Sequence, residues 1–219
     1  MKTAIILGAT GLTGGMVLEL LLKNPSYNKV KLFSRSPVRI KNPKIEEHVG
    51  DLFHLDNLKK DFIADEVYCC IGTTKAKTPN KATYRKIDFG IPKNAAKLAK
   101  ENGISTFIVI SALGASTKSP VFYNRIKGEM EEAVLQYGIK RTYILQPSLI
   151  AGKRNEKRIG EWLFKQLMRI ANFVLAGPLD KYKSIHPGTI AQCMVWLANN
   201  TYDHARIESD EIRRIVSPK

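Results

Sequence analysis

Tyr123 and Lys127 stand four residues apart in the run Tyr123-Asn124-Arg125-Ile126-Lys127. At that spacing on a helix the two side chains share one face. An ammonium beside a phenol stabilises the phenolate, which lets a tyrosine give or take a proton at a carbonyl or an alcohol. Ser111 lies twelve residues earlier, at the end of an apolar run of strand length, where its hydroxyl can hold the oxygen of such a substrate. Y-x-x-x-K alone is a weak pattern. Its place behind a serine, on a helix that follows a strand, gives it weight.

The second chemical feature is Gly8-Ala9-Thr10-Gly11-Leu12-Thr13-Gly14-Gly15. It follows the apolar run Thr3 to Leu7 and precedes a helical pattern at Met16, Val17, Leu18, Leu20 and Leu21. Strand, glycine turn and helix in that order let backbone approach a pyrophosphate, whose charge sits at the helix N-terminus. Gly8, Thr10, Gly11, Leu12, Thr13 and Gly14 are the expected contacts. The spacing is G-x-x-G-x-x-G, distinct from the G-x-G-x-x-G fingerprint.

Ser34-Arg35 closes the second strand-like run, about 20 residues past the last glycine, where that fingerprint places its ribose contact. An acid there suits a free 2′-hydroxyl. An arginine suits a 2′-phosphate, because a guanidinium forms paired charge-assisted hydrogen bonds. The cofactor expected is NADP(H) in preference to NAD(H), against the alternative of a solvated surface arginine. Asp51, with Leu52 beside it after the third run, is placed to meet the adenine amino group, or equally to serve as a turn residue. Cys70, Gly72 and Thr73 end the fourth run, where small residues let backbone pass the centre of the cofactor. The Cys70 thiol itself reads as packing.

These residues need a particular scaffold. Strand-like runs at 3–7, 30–33, 45–49, 66–71, 106–110 and 141–145 alternate with helical patterns. One such helix places Ile91, Ala95, Ala96, Leu98 and Ala99 on a face and is stopped by Gly103; another runs from Phe122 to Tyr137 and is capped by Gly138. Apolar strands alternating with helices indicate an α/β fold, a doubly wound parallel sheet of Rossmann type. The expected organisation is a single domain over 1–219: a cofactor-binding core over 1–150 and a C-terminal segment over 151–219 that covers the substrate. In that segment 162–174, 190–197 and 210–215 look helical.

The 219 residues, 44% hydrophobic and 8% aromatic, allow one well-buried core. No run approaches the roughly 18 apolar residues of a membrane span. The opening apolar run is too short for a signal peptide. Three cysteines, two of them adjacent, make no disulfide framework, so the expectation is a cytoplasmic protein without a membrane partner. His48, His54, His186 and His204 lack metal-ligand spacing, and no metal is expected. His186-Pro187 reads as a helix start, with a role in the pocket as the alternative.

The chain carries 35 basic against 20 acidic residues, a net charge of +15. Glu19 to Glu46 and Glu66 to Asp88 enclose blocks with no acid, and the first surrounds Arg35. Part of the charge therefore reads as a local anion site and part as solvated surface. Lys153, Arg154, Lys157 and Arg158 read as a solvated loop or as a guide for an anionic substrate. Trp162, Leu163, Phe164, Leu167, Met168 and Phe173 form an apolar face suited to core, lid or dimer contact. Nucleic acid is disfavoured, because no basic recognition helix or interleaved aromatic pattern is present.

The glycine spacing, Ser111 and Tyr123-x-x-x-Lys127, in this order, resemble the short-chain dehydrogenase/reductase superfamily, and its atypical, NmrA-like branch in particular. Cys69-Cys70-Ile71-Gly72-Thr73-Thr74, Lys127-Gly128-Glu129 and Gly160-Glu161-Trp162-Leu163 are similar to the oxidoreductase-like family of the human Tat-interacting protein. The resemblance runs from Lys2 to about Leu197. It implies a Rossmann fold, NADP(H) binding and a Ser-Tyr-Lys set carried onto Ser111, Tyr123 and Lys127. It further implies that Lys127 also binds the nicotinamide ribose and that Pro147, Ser148, Leu149 and Ile150 lie along the nicotinamide. Ala112-Leu113 stands where many relatives carry a second serine, so Ser116 is a fallback for Ser111.

The activity expected is hydride transfer to or from a small carbonyl or alcohol, with acid/base help from Tyr123, Lys127 and Ser111. The alternatives are an NADP-sensing regulatory or interaction protein without catalysis, and an NAD(P)-dependent epimerase. A protein partner or a homodimer contact stays open.

Overall fold

The computed structural model describes residues 1–151 and 177–217. The Lys153–Arg158 basic run, the Trp162–Phe173 apolar face and the Gly160–Leu163 match lie outside the described residues.

Seven parallel strands form one sheet in the spatial order β3-β2-β1-β4-β5-β6-β7. They are β1 (Lys2–Leu7), β2 (Tyr27–Ser34), β3 (Ile45–Val49), β4 (Glu66–Cys69), β5 (Thr106–Ile110), β6 (Arg141–Gln146) and β7 (Arg206–Glu208). The order reverses between β1 and β4, and such a switch point opens a crevice at the carboxyl ends of the strands. The helices are α1 (Leu12–Lys23), α2 (Lys81–Arg85), α3 (Ile91–Glu101), α4 (Phe122–Leu135), α5 (Pro187–Asn199) and α6 (Ser209–Val216). The α/β Rossmann-like reading of the sequence therefore holds.

Alternation along the strands feeds two cores, one on each face of the sheet. Ala4, Ile6, Leu32, Tyr68, Ile108 and Leu145 pack on one face with Val17 and Leu21 of α1 and Met194 and Leu197 of α5. Ile5, Leu7, Phe33, Val67, Phe107 and Val109 pack on the other with Ala95 and Ala99 of α3 and Met130 and Val134 of α4. Both faces are covered, which is why the strands read as unbroken apolar runs.

The C-terminal segment differs in part from a substrate cover. Helix α5 lies against α1, β7 adds a seventh strand beside β6, and Ile185, Ile190, Ile207 and Ile212 are buried in the first core. Residues 177–217 thus complete the doubly wound layer, because their apolar faces are spent on the sheet. His186 caps α5, its Nδ1 accepting from Gly188 N–H at 3.1 Å.

At the amino end of the sheet, Glu66 of β4 is fully buried and accepts hydrogen bonds from the Tyr27 and Tyr68 hydroxyls. Lys2 reaches its other oxygen at 3.2 Å and also donates to Ala198 O and Asn199 Oδ1 at the end of α5. Burial, followed by the neighbouring Glu66 carboxylate, pushes the Tyr27 hydroxyl well above the ordinary tyrosine pKa. This knot joins β1, β2, β4 and α5 on the side of the sheet away from the crevice.

Candidate functional site

The first βα turn is built for an anion. Gly8 has φ +87, and a Cβ there would stand 2.9 Å from Cys70 O, so backbone from β4 passes directly against it. A Cβ on Gly14 would stand 2.2 Å from Gly8 O, which is how the first turn of α1 closes on the loop. The N-cap of α1 is Gly11, with no side-chain cap and no acid in the first turn. The N–H groups at that end have no intrahelical acceptor, and the helix dipole adds partial positive charge.

This turn is one wall of a cleft of about 600 Å³ at the carboxyl ends of β1, β4 and β5. Thr10, Gly11, Leu12 and Thr13 line it on one side, and Cys70, Gly72 and Thr73 line its floor after β4. Ser111, Tyr123, Lys127 and Ile150 close the far side. The structure thus brings the glycine turn and the Ser-Tyr-Lys set onto one cavity. Ser116 is exposed and outside the lining.

Tyr123 and Lys127 lie one turn apart on α4, with Tyr123 39% exposed and Lys127 only 3%. The Lys127 Nζ lies 3.0 Å from Asp88 Oδ1 and 3.4 Å from Ile110 O. Burial, the largest influence, pulls this ammonium down, but the Asp88 carboxylate together with Tyr123 and Cys69 more than offsets it and holds the lysine pKa above its ordinary range. Asp88 itself sits in a π-helical turn, Lys86–Gly90, and its Oδ2 accepts from Thr73 N–H at 2.9 Å. Such turns insert an extra residue into a helix and often mark functional sites. Here the turn aims a carboxylate inward. Sequence reasoning missed Asp88, although its place as the acid that ends a basic block was the available signal.

Ser111 is buried, and its hydroxyl donates to Glu131 Oε1. Glu131 lies one turn beyond Lys127 on α4, so Tyr123, Lys127 and Glu131 share a face. Gln146 Nε2 donates to both carboxylate oxygens at 2.9 and 3.0 Å, and Arg206 Nε donates to Oε2 at 2.8 Å. Glu131 also escaped sequence reasoning, which singled out Tyr123 and Lys127 as the chemical residues of this helix.

Ser34, Arg35, Asp51, Leu52, Pro147, Ser148 and Leu149 lie off this cleft. Ser34 is buried at the end of β2 and donates to Ser36 O at 2.7 Å, while Arg35 is exposed and has no carboxylate partner among the described residues. Asp51 Oδ1 accepts from Phe53 N–H at 2.9 Å, capping the short helical turn that follows β3. Leu52 is 3% exposed and packs in the second core, leaving only its backbone for a ligand. Pro147 is buried, and its carbonyl accepts from Leu113 N–H at 2.9 Å. Ser148 donates to Lys183 O, while Leu149 is exposed. The Cys70 thiol lies 3.9 Å from Met194 Sδ, and burial pushes its pKa well up, as expected of a packing thiol. Among the described residues no cluster of His, Cys, Asp and Glu could hold a metal ion.

A family profile described as NAD(P)H-binding matches residues 8–160. The protein is similar to "Protein FMP52, mitochondrial" of Candida albicans, at 31% identity over 73% of this chain and 76% of the relative. The protein of that name from Meyerozyma guilliermondii is 33% identical over 80% of this chain and 78% of the relative. The expectation of a cytoplasmic protein is overturned by these fungal relatives, which are named mitochondrial. Among solved structures, UDP-glucose 4-epimerase from Thermotoga maritima with UDP-glucose superposes with a TM-score of 0.70 at 11% identity, over 97% of this chain and 80% of that one. MoeE5 in complex with UDP-glucose and NAD gives 0.67 at 14% identity, over 96% and 79%. These likenesses concern the fold. The matched profile spans most of the chain and contains the glycine turn, Asp88, Ser111, Tyr123 and Lys127, and the chain belongs to the NAD(P)H-binding family of the short-chain dehydrogenase/reductase superfamily.

Proposed function

We propose that the protein is an NADP(H)-dependent oxidoreductase acting on a small alcohol or carbonyl. The observation that carries this reading is that Tyr123 and Lys127 line the same cleft as the uncapped end of α1. The residues present suit the dinucleotide: the glycine turn leaves room for backbone-to-phosphate contact, and Gly72 brings bare backbone beside Lys127, where a Cβ would stand 3.8 Å from Nζ.

When bound, the nicotinamide supplies or accepts the hydride. Tyr123, the more exposed of the pair, exchanges the proton with the substrate oxygen. Lys127 is pinned by Asp88 with its charge retained, and its remaining N–H is available to a ribose hydroxyl. Because Asp88 neutralises much of that charge, Lys127 acts on this reading more as a positioned donor than as an electrostatic lever on Tyr123. Ile150, which lines the cleft, would stand by the nicotinamide, and Asp51 would serve the adenine end. Arg35 meets the 2′-phosphate, supported by its exposure beyond β2 and the absence of an acid there. The resemblance to the Tat-interacting-protein family supports the same assignment.

The test is fluorescence titration with NADPH and NADH, followed by a carbonyl panel run with wild type and Tyr123→Phe. Tighter NADPH binding and turnover lost in the variant are expected. Equal binding of the two dinucleotides removes the NADP assignment. Binding without turnover in either protein assigns a cofactor-sensing role instead.

A further inference from the structure

Lys77 lines the same cleft as Tyr123 and stands outside both the glycine turn and the Ser-Tyr-Lys set. It belongs to the loop over 70–80 that joins β4 to α2. That loop is tied at several points. Thr73 N–H donates to Asp88 Oδ2 at 2.9 Å, and Thr73 O accepts from the Tyr84 hydroxyl at 3.3 Å. The Thr73 and Thr78 hydroxyls meet at 2.9 Å. Thr74 O accepts from Lys77 N–H at 3.0 Å and from Thr78 N–H at 2.9 Å. The lysine is thus carried on a closed turn whose foot, Thr73, is itself in the cleft.

The wall around it is positive. Between Glu66 and Glu129 the chain has only two acids, Asp88 and Glu101. Asp88 is bound to Lys127, and Glu101 is held by Lys59 at 2.7 Å at the C-terminal end of α3. Glu129 itself is paired with Arg85. Lys81 Nζ stands 5.7 Å and the Arg125 guanidinium 6.0 Å from the centre of the ring of Phe122, the residue before Tyr123. Among the described residues Lys75, Lys81, Lys118 and Arg125 have no carboxylate partner. Glu19 also lines the cleft, but on α1 with the glycine turn. Cations gathered on one wall of a cleft concentrate and orient anions.

We propose that Lys77 is a specificity-determining residue that receives an anionic group, carboxylate or phosphate, on the substrate whose alcohol or carbonyl faces Tyr123. This rests on the oxidoreductase reading and narrows its substrate class. A lysine ammonium offers three donors on a flexible stem, so it meets either anion as a point charge. The reacting end of such a substrate is uncharged, and its charge stays at the rim, where Lys77 is exposed.

Binding can be read apart from turnover. Calorimetric titration of the protein–NADP+ complex, in which an aldehyde has no hydride donor, compares succinic semialdehyde with butanal and glycolaldehyde phosphate with glycolaldehyde. At about 20 mM salt at least one charged probe should bind roughly five- to tenfold tighter than its neutral partner, and the gap should shrink at about 300 mM salt. The pair with the wider gap identifies the anion. Lys77→Ala should bring the two affinities together, and Lys77→Arg should keep them apart. Equal affinities for charged and neutral probes in the wild type overturn the proposal. So does a gap that survives Lys77→Ala; if NADPH binding weakens in that variant instead, Lys77 serves the cofactor. Assays with NADPH and the same aldehydes test the underlying reading separately. Lys77-dependent binding of a charged aldehyde without NADPH oxidation removes the oxidoreductase reading and leaves the anion site standing.

Discussion

Lys127 and Asp88 form an ion pair at 3.0 Å, with the lysine side chain 4% and the aspartate 1% exposed. The aspartate also takes the backbone N–H of Thr73. One carboxylate therefore ties the loop after β4 to the helix that carries Tyr123. Both ends of that tie face the cleft.

Asp88→Asn leaves a buried ammonium without its counter-charge, which costs about 3 kcal/mol. In the wild type Lys127 has a raised folded pKa, so the stabilisation by the pair is complete below the unfolded value near about 10.4 and is lost only as pH climbs through the folded one. In the variant burial acts without the Asp88 charge to oppose it, and the folded pKa drops below the unfolded one. The stability deficit should therefore narrow as pH rises from neutral toward about 10. Urea unfolding across that range reads it directly. A constant deficit would mean that Lys127 is not the titrating partner.

Arg35→Asp places an acid where the 2′-phosphate is expected. Loss of a charge-assisted contact and gain of a repulsion should weaken NADPH binding by roughly a factor of ten or more, while NADH binding is kept or improved. Fluorescence titration of both dinucleotides checks the switch, and parallel loss of both would place Arg35 in a general anion role.

Neighbouring glycines should behave differently. Gly14→Ala drives a Cβ to 2.2 Å from Gly8 O, a backbone atom that cannot move aside. A loss of about 1–3 kcal/mol in stability is expected, together with loss of dinucleotide binding. Gly15→Ala meets Ala9 O only at 3.3 Å and gains helix propensity, so its melting temperature should stay near wild type. Thermal melts of the pair test whether the turn or simply the helix is sensitive.

Tyr27→Phe removes one donor from the buried Glu66 carboxylate and the acceptor of Asn199 Nδ2, which lies 2.8 Å from the Tyr27 hydroxyl. A cost of about 1–3 kcal/mol follows from leaving buried polar groups short of partners. NADPH affinity should not change, because the knot stands at the opposite end of the sheet from the cleft. Stability and binding measured on the same preparation separate the two.

The six long strands and the glycine turn were legible because a sheet covered on both faces demands unbroken apolar runs, and a phosphate-facing turn demands glycine. Arg206-Ile207-Glu208 was not legible as β7, since one buried residue in three gives no period to detect. Asp88 was hidden for a different reason. Its role depends on a π-helical turn, which leaves no mark on hydrophobic spacing. Glu131 was in principle readable at i+4 from Lys127, but an acidic stripe on a helix more often faces water. Its meaning came only with Ser111, Gln146 and Arg206, which arrive from the end of β5, from β6 and from β7. Asp51 shows the reverse ambiguity, since one oxygen caps the turn after β3 and the other lies 3.9 Å from His54 Nε2.

The position of β1 carries a cost during synthesis. It pairs with β2 on one side and with β4 on the other. The second partner is translated only after α1, β2, β3 and the short helical turn between them. At the usual rate of about 5–20 residues per second, the ~35 residues between the ends of β2 and β4 take roughly 2–7 s to emerge. Through that interval a nascent chain presents an apolar strand with one open edge, a template for mispairing. A chaperone that binds extended apolar segments should therefore engage ribosome-stalled chains that have released β2 but not β4 far more than chains long enough to have released β4.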